Sequence, residues 1–180
     1  MRSQCPVDAV VNDDQAWFEQ RVRTLGRPAI KYANVLVHDM NLAEEIVQEA
    51  FARAWASPTT PSVAVEFRSY LYRIIANLAH DYYLRQSRRA MLNPQGPVLM
   101  DPQEMAERRA ADDAMKRALT ILGLRERQAV YLRYFEDLSV AETARIMGAR
   151  QGTVRVIVYR ALRKLRRHLS TNEVSDVVAI

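Results

Sequence analysis

Cationic side chains recur at helical spacing near the C-terminal end of the chain, and of all the residues in the sequence they indicate most clearly what the protein binds. Between residues 150 and 168 the sequence has seven Lys or Arg and no Asp or Glu. A helix of that charge repels itself in isolation, whereas a DNA major groove accommodates it. Its first arginines can each donate two hydrogen bonds to guanine, and its later cations can neutralise phosphates. The pattern favours DNA binding over a solvated basic helix at a chain end.

A helix-turn-helix pattern precedes this basic helix. Ser139 and Glu142 match a capping box, which predicts the start of a short helix. Ala144 falls where two helices approach closely, Gly148 where a tight turn can use a positive φ, and Val154 where the next helix packs back. Repressors, response regulators and polymerase subunits all use this motif, so the motif alone leaves the function open.

The elements that must position this motif are predicted to be helices. With 5 Gly, 7 Pro and 49% hydrophobic residues, the composition favours an all-α fold. The order of the predicted helices along the chain further predicts two small helical domains joined by a flexible linker, the second containing the helix-turn-helix. The periodicity predicts N-terminal helices at 13–25, 28–37, 41–55 and 66–89, with the first two separated by a break near Gly26 and Pro28. It predicts C-terminal helices at 104–122, 125–135, 139–147 and 151–168.

The same periodicity indicates which faces are buried. Asn41 is expected to cap the third helix. Candidate buried positions are Trp17, Val22, Leu25, Ile30 and Val37 in the first two helices, and Phe67, Leu71, Ile74 and Leu78 in the long helix. The opposite face of the long helix is mostly polar and basic. Residues 93–103, with three prolines and a glycine, have no periodicity and are predicted to be an interdomain linker.

Several kinds of site are not expected. Cys5 is the only cysteine, which excludes an intramolecular disulfide and any multi-cysteine metal site. Neither a catalytic constellation nor a cofactor or metal site is predicted, so an enzyme acting on nucleic acid is disfavoured. The N-terminus lacks the pattern of a signal peptide, and no apolar stretch approaches 18 residues, so we expect a cytoplasmic protein without a membrane partner.

Three stretches resemble extracytoplasmic-function sigma factors of the sigma-70 family. The run from Asn41 to Trp55, NLAEEIVQEAFARAW, closely resembles their polymerase-binding region 2.2. The run from Phe67 to Asp81 looks like the stretch that melts promoters and reads the −10 element. Residues 124–165 resemble region 4, which reads the −35 element. Val156 stands where that family often has serine, so the promoter sequence cannot be transferred from relatives.

The resemblance implies a bacterial, cytoplasmic sigma factor that binds core RNA polymerase and directs promoter-specific initiation. It is not itself an enzyme. The implied organisation is a region 2 domain at 1–92, a linker at 93–111, a region 4 domain at 112–170 and a tail at 171–180, of which we expect the last to be a frayed terminus. A helix-turn-helix regulator that binds DNA alone is the alternative, and it predicts tight duplex binding without polymerase.

Site residues follow by resemblance, position by position. The polymerase-binding set is Asp39, Glu44, Glu45, Val47, Gln48, Phe51 and Trp55, although Phe51 and Trp55 fit core packing equally well. The −10 set is Tyr70, Arg73, Asn77, His80, Arg85, Arg88 and Arg89, with the loop of residues 57–65 as a pocket for a flipped base. The −35 set is Arg150, Thr153, Arg155, Val156, Tyr159, Arg160, Arg163 and Lys164. The implied partners are the β′ and β subunits of core RNA polymerase and promoter DNA; an anti-sigma factor is a further candidate that no residue identifies.

Overall fold

The computed structural model of the chain describes the backbone of residues 7–92 and 119–178, and the side chains of residues 15–88 and 119–168. Every regular element in these ranges is a helix, which confirms the all-α prediction for them. The helices are α1 (Val7–Val37), α2 (Met40–Ala56), α3 (Ala64–Leu92), α4 (Leu124–Tyr134), α5 (Val140–Ile146) and α6 (Gln151–Val178). The predicted linker at 93–111 lies outside the described residues, as does most of the predicted helix at 104–122. Below, residues 7–92 are the N-terminal half and residues 119–178 the C-terminal half.

The predicted break near Gly26 and Pro28 is wrong, because α1 continues through the proline. Pro28 cannot donate a backbone hydrogen bond, which disfavours a helix interior. Packing on both sides of it outweighs that loss: Trp17 meets Phe67 edge-on with ring centroids 5.3 Å apart, and Tyr32 is fully buried. Tertiary burial therefore overrides the local preference.

The core differs in detail from the predicted stripes. Val22 is exposed, and Trp17, Leu25 and Ile30 are only partly buried. In α3, Phe67 and Leu71 are buried as predicted, but Ile75 and Ala79 take the place of Ile74 and Leu78, which are partly buried. The reason is that α3 packs against α1 and α2 on one side and against α5 on another, which buries a wider face than one stripe. Among the side chains of α1 that the structure describes, from residue 15 onward, the fully or nearly fully buried ones are Ala29, Tyr32, Ala33 and Leu36, together with the predicted Val37.

The turn between α1 and α2 is capped by Asp39 and not by Asn41. The Asp39 carboxylate accepts a hydrogen bond from the amide of Leu42 at 3.0 Å, whereas Asn41 is an exposed residue inside the helix. His38 precedes the cap with a φ of 58°, a left-handed conformation that ends α1 abruptly. The prediction placed the cap two residues too late and the start of the helix one residue too late.

The helix-turn-helix is confirmed. The Glu142 amide donates to the Ser139 hydroxyl at 3.2 Å, and the Ser139 amide donates to the Glu142 carboxylate at 2.8 Å. Ala144 and Val154 are buried where α5 and α6 meet, and Gly148 has a φ of 57°. The last helix begins at Gln151 as predicted but continues to Val178, beyond the predicted end at residue 168.

The two halves pack against each other through tyrosines. Tyr32 of α1 stacks on Tyr72 of α3 with ring centroids 4.7 Å apart, and it lies 5.3 Å from Tyr131 of α4. All three rings are at least 95% buried. The buried residues of α1, α2 and α3 thus form one continuous core with those of the helix-turn-helix.

Alanine substitutions at two glycines near the turn distinguish the effect of backbone strain from that of steric crowding. At both Gly148 and Gly152 an added Cβ would meet no atom within 4 Å, but only Gly148 has a positive φ. We expect Gly148→Ala to lower the free energy of unfolding by about 1–2 kcal/mol, the cost of a left-handed non-glycine residue. Gly152→Ala, inside α6, should raise it by up to about 1 kcal/mol. Urea unfolding followed by circular dichroism measures both, and equal effects would refute this account of the turn.

Candidate nucleic-acid interface

The outer face of α6 carries the predicted −35 residues. All eight are exposed, including Tyr159 at 66% and Val156 at 48%. Val154 and Ala161 on the same helix are fully buried and thereby fix its rotation. Because Arg155, Tyr159 and Arg163 follow one another at intervals of four residues, they project from a single face. This exposed face carries both hydrogen-bond donors and cations, as a major-groove reader requires.

Lys164 is partly engaged within the C-terminal half. Its ammonium lies 2.7 Å from a carboxylate oxygen of Glu126, which also accepts a hydrogen bond from the Gly123 amide at 3.0 Å. Burial alone would raise the pKa of Glu126, but the hydrogen bonds from Lys164 and Gly123 outweigh it, so the pKa is lowered. The pair joins the start of α4 to α6 and helps to hold the reading helix in place.

The face of α3 that was predicted to read the −10 element is formed by Tyr70, Arg73, Asn77 and His80, and we call it the −10 face. The Arg73 guanidinium lies 5.6 Å from the Tyr70 ring centre, a cation–π arrangement. Asn77 and His80 are exposed further along the helix. Arg85 and Arg88 are exposed beyond them, whereas the side chain of Arg89 lies outside the described residues.

A cavity of about 290 Å³ opens beside Tyr70 and Arg73, at the N-terminal end of α3. It is lined by Pro61 of the loop between α2 and α3, by Glu66, Ser69, Tyr70 and Arg73 of α3, and by Arg145 of α5. An aromatic ring, a hydroxyl, a carboxylate and guanidinium groups around one cavity can stack on a nucleobase and bond to its edge. Of the loop at residues 57–65, Pro61 lines this cavity.

The C-terminal half contributes residues to the −10 face that sequence reasoning missed. Arg145 reaches the base-sized cavity from α5. Further along, Asn77 and His80 share a cavity of about 80 Å³ with Leu124, Arg125, Gln128, Ile146 and Met147. Long-range packing of this kind leaves no periodic signal in a sequence. Arg145 is exposed, so it belongs to no buried stripe that the sequence could have displayed.

The α2 surface contains part of the predicted polymerase-binding set. Glu44, Glu45 and Gln48 are exposed along one side of the helix, and Trp55 is 54% exposed at its end. Val47 and Phe51 are only 4% and 8% exposed, so they lie in the core. Asp39 acts as the helix cap. The Trp55 ring packs against Phe18 with centroids 4.9 Å apart, at the edge of a cavity of about 670 Å³ that also includes Trp17.

In the described ranges, no three His, Cys, Asp or Glu side chains cluster where they could hold a metal ion. No helix there is long and apolar enough to cross a membrane. What the described residues define is an all-helical protein with a helix-turn-helix, the class of fold that many DNA-binding proteins use.

Comparison with known proteins identifies the family. The family model described as Sigma-70 region 2 matches residues 21–89, and the one described as Sigma-70, region 4 matches residues 112–165. The chain is 31% identical to the RNA polymerase sigma-E factor of Streptomyces coelicolor, covering 84% of this chain and 85% of that one. It is 30% identical to the ECF RNA polymerase sigma factor SigM of Mycobacterium tuberculosis, covering 89% of this chain and 81% of the relative.

A solved structure has the same fold. The sigma factor RpoE of Bartonella quintana, crystallised with the anti-sigma factor NepR, aligns with a TM-score of 0.70 at 23% identity over 85% of this chain and 96% of that one. The chain belongs to the extracytoplasmic-function sigma factors of the sigma-70 family and directs RNA polymerase to promoters. The alternative of a stand-alone regulator is therefore set aside.

His38 makes stability depend on pH. Burial, and after it the charge of Arg127, lowers the pKa of His38 from 6.5 to about 4. Between those values the unfolded chain binds a proton that the native chain does not, so stability falls as pH decreases from about 6.5 to about 4. Asn also tolerates a positive φ, so we expect His38→Asn to lose less stability across this window. Urea midpoints from pH 7.5 to 4.5 measure the difference, and parallel curves for the two proteins would contradict it.

Proposed function

We propose that this sigma factor binds core RNA polymerase through the exposed side of α2. Glu44, Glu45 and Gln48 form an acidic and amide surface, and Trp55 adds an exposed aromatic ring at its end. Such a surface complements a basic helical partner, and by family resemblance that partner is the coiled coil of the β′ subunit. Val47, Phe51 and Asp39 support this surface from below, by packing and by capping the helix.

The −10 face is proposed to bind the melted promoter strand. Tyr70 and Arg73 flank the cavity of about 290 Å³, which is placed to receive one unstacked base. Asn77 and His80 follow on the same helix and can bond to further base edges. Arg85, Arg88 and Arg89 are assigned to phosphates beyond them.

The exposed face of α6 is proposed to read the −35 duplex. Arg155, Val156, Tyr159 and Arg160 are assigned to base edges, with Arg150 and Thr153 near the start of the helix and Arg163 and Lys164 on the backbone. The observation that carries the proposal is that two faces with exposed cationic and hydrogen-bonding side chains lie on different halves of one chain, one on α3 and one on α6. A sigma factor that reads two unlike elements requires such an arrangement.

The chain supplies recognition in this proposal, and the polymerase does the chemistry. We expect it to act in the bacterial cytoplasm, where core polymerase and promoters are, and to contact the β subunit as well as β′. An anti-sigma factor is a candidate partner. The exposed rings of Tyr134 and Phe135, at 54% and 51%, offer one apolar surface that would serve such a protein.

The proposal is tested by transcription of fragmented genomic DNA with core RNA polymerase, with and without this protein, followed by mapping of RNA 5′ ends. New starts that share two upstream elements at a fixed spacing are expected. Starts that share a single element, or no starts at all despite tight duplex binding by the protein alone, would refute the proposal that the two halves read different promoter elements.

Charge reversal on α2 tests the polymerase surface. Glu45→Lys should weaken binding to core polymerase at least tenfold, or about 1.4 kcal/mol, because it opposes a basic partner. Glu19→Lys on α1, which is also exposed, is the matched control and should bind as the unmodified chain does. Fluorescence titration of labelled protein with core enzyme measures both. Equal affinities for the two variants would remove the α2 assignment.

Substitutions of two arginines on α6 distinguish a contact with a base from a contact with a phosphate. Arg155→Ala should cost about 1–3 kcal/mol at one base position and relax the preference there. Arg163→Ala should weaken binding to all DNA sequences alike, and it should reduce the salt dependence of binding by the amount expected for about one phosphate contact. Holoenzyme binding to single-base variants of the mapped −35 element, at several salt concentrations, distinguishes the two. If Arg155→Ala weakened binding to every DNA sequence equally, Arg155 would be reassigned to a contact with the DNA phosphates.

A further inference from the structure

The exposed face of α6 that carries the −35 residues, called the −35 face below, has an acidic neighbour on another helix. Between residues 150 and 168 the sequence has no Asp or Glu, so the charges that α6 itself supplies there are positive. Glu126 of α4 brings a carboxylate against this helix, and one of its oxygens lies 2.7 Å from the ammonium of Lys164. Arg160, one turn earlier on α6, acts on the same carboxylate through its charge. A negative charge therefore lies among cations that are assigned to DNA.

The carboxylate of this pair is fixed in place, whereas the ammonium is not. The Glu126 side chain is 15% exposed, and it accepts a hydrogen bond from the Gly123 amide at 3.0 Å, which caps the start of α4. Against the effect of burial, the hydrogen bonds from Lys164 and Gly123 lower the pKa of Glu126, so the carboxylate is charged at neutral pH. The Lys164 side chain is 51% exposed and ends a flexible four-carbon stem. Lys164 can therefore turn toward a ligand in solvent, but Glu126 cannot follow it.

A DNA phosphate and the Glu126 carboxylate compete for the same ammonium. In the −35 assignment Lys164 contacts the DNA backbone, and that contact requires the ion pair with Glu126 to break. The free energy of the pair is then subtracted from that of the phosphate contact. The carboxylate that stays behind also repels the phosphate, because both are negatively charged. Partly exposed ion pairs are weak, so the expected loss in DNA affinity is at most about fivefold.

From this geometry we propose that Glu126 is a positioning residue that holds Lys164 away from DNA phosphates and thereby lowers the affinity of the −35 face for duplex DNA of any sequence. Because the pair acts on a phosphate contact, it weakens specific and non-specific binding by the same factor. Base contacts then supply a larger share of the remaining binding free energy. The proposal rests on the −35 assignment made under Proposed function. It differs in sign from a purely structural role, since breaking a pair that only held α4 against α6 would weaken DNA binding.

Removal of the Glu126 charge tests this competition. Glu126→Gln keeps an oxygen that can accept from the Gly123 amide, so α4 keeps its cap, but the charge that holds Lys164 is lost. Holoenzyme with this variant should bind a labelled duplex that carries the mapped −35 element about two- to fivefold more tightly, and a scrambled duplex by the same factor. Glu49→Gln, which releases Arg53 from a pair of the same length on α2, is the matched control and should bind as the unmodified protein does. Fluorescence anisotropy at one salt concentration measures all of these affinities.

A double-mutant cycle with Lys164→Ala shows whether the released ammonium causes the gain. The gain from Glu126→Gln should disappear when residue 164 is alanine, because no ammonium is then left to release. A gain of the same size in both backgrounds would come from the change of charge alone and would overturn the proposal, as would Glu126→Gln binding that is unchanged or weaker. If Arg163→Ala weakens duplex binding but Glu126→Gln does not strengthen it, this proposal alone fails. If Arg163→Ala has no effect either, the −35 assignment fails together with it.

Discussion

The contact on which most of the structure depends is the packing of Tyr131 against Tyr32, which in turn stacks on Tyr72. It joins α4 to α1, and α5 contacts α3 as part of the same packing between the halves. Rings of this size bury much apolar surface, so they dominate the energy of any contact that they form. Without it the two halves would be separate helical units. The position of Arg145, the burial of Arg127 and the lowered pKa of His38 all follow from this packing.

Burial of polar groups gives this contact a different character from the core of each half. Within α1, α2 and α3 the buried side chains are mainly alanine and larger apolar residues, which are hard to separate from one another. Between the halves lie a carboxylate, two guanidinium groups and four phenols, counting the Tyr83 hydroxyl to which Arg127 donates. They lie beside Ala129, Leu132 and other apolar residues of the C-terminal half, which belong to the same continuous core as the buried residues of α1, α2 and α3. The contact thus adds buried polar groups to an apolar core that spans both halves.

Much of this architecture could be predicted from the sequence. The capping box of Ser139 and Glu142, the turn at Gly148 and the buried Val154 are local features, and local spacing is what a sequence displays directly. The exposed face of α6 followed from the same spacing, because one buried stripe leaves the opposite side in solvent. The family resemblance extended that reasoning to α2 and α3.

What the sequence could not show depends on residues far apart along the chain. Pro28 indicated a break, but burial of α1 on either side keeps the helix continuous. Ile75 is in the core in place of Ile74 because α5 and the helices of the N-terminal half bury α3 from different directions. Asp39 serves as the cap of α2, a choice between neighbouring polar residues that periodicity does not resolve. The approach of Arg145 to Tyr70 and Arg73 belongs to this class, since no spacing within either half records it.

The measurement that tests the account most directly is a double-mutant cycle across the tyrosine contact, with Tyr32→Leu, Tyr131→Leu and the double variant. Urea unfolding gives the free energy of unfolding of each protein. Because the two rings lie 5.3 Å apart, the account predicts a coupling energy of about 0.5–1.5 kcal/mol between the two positions. Losses that simply add would show that the packing of the two halves does not depend on this contact.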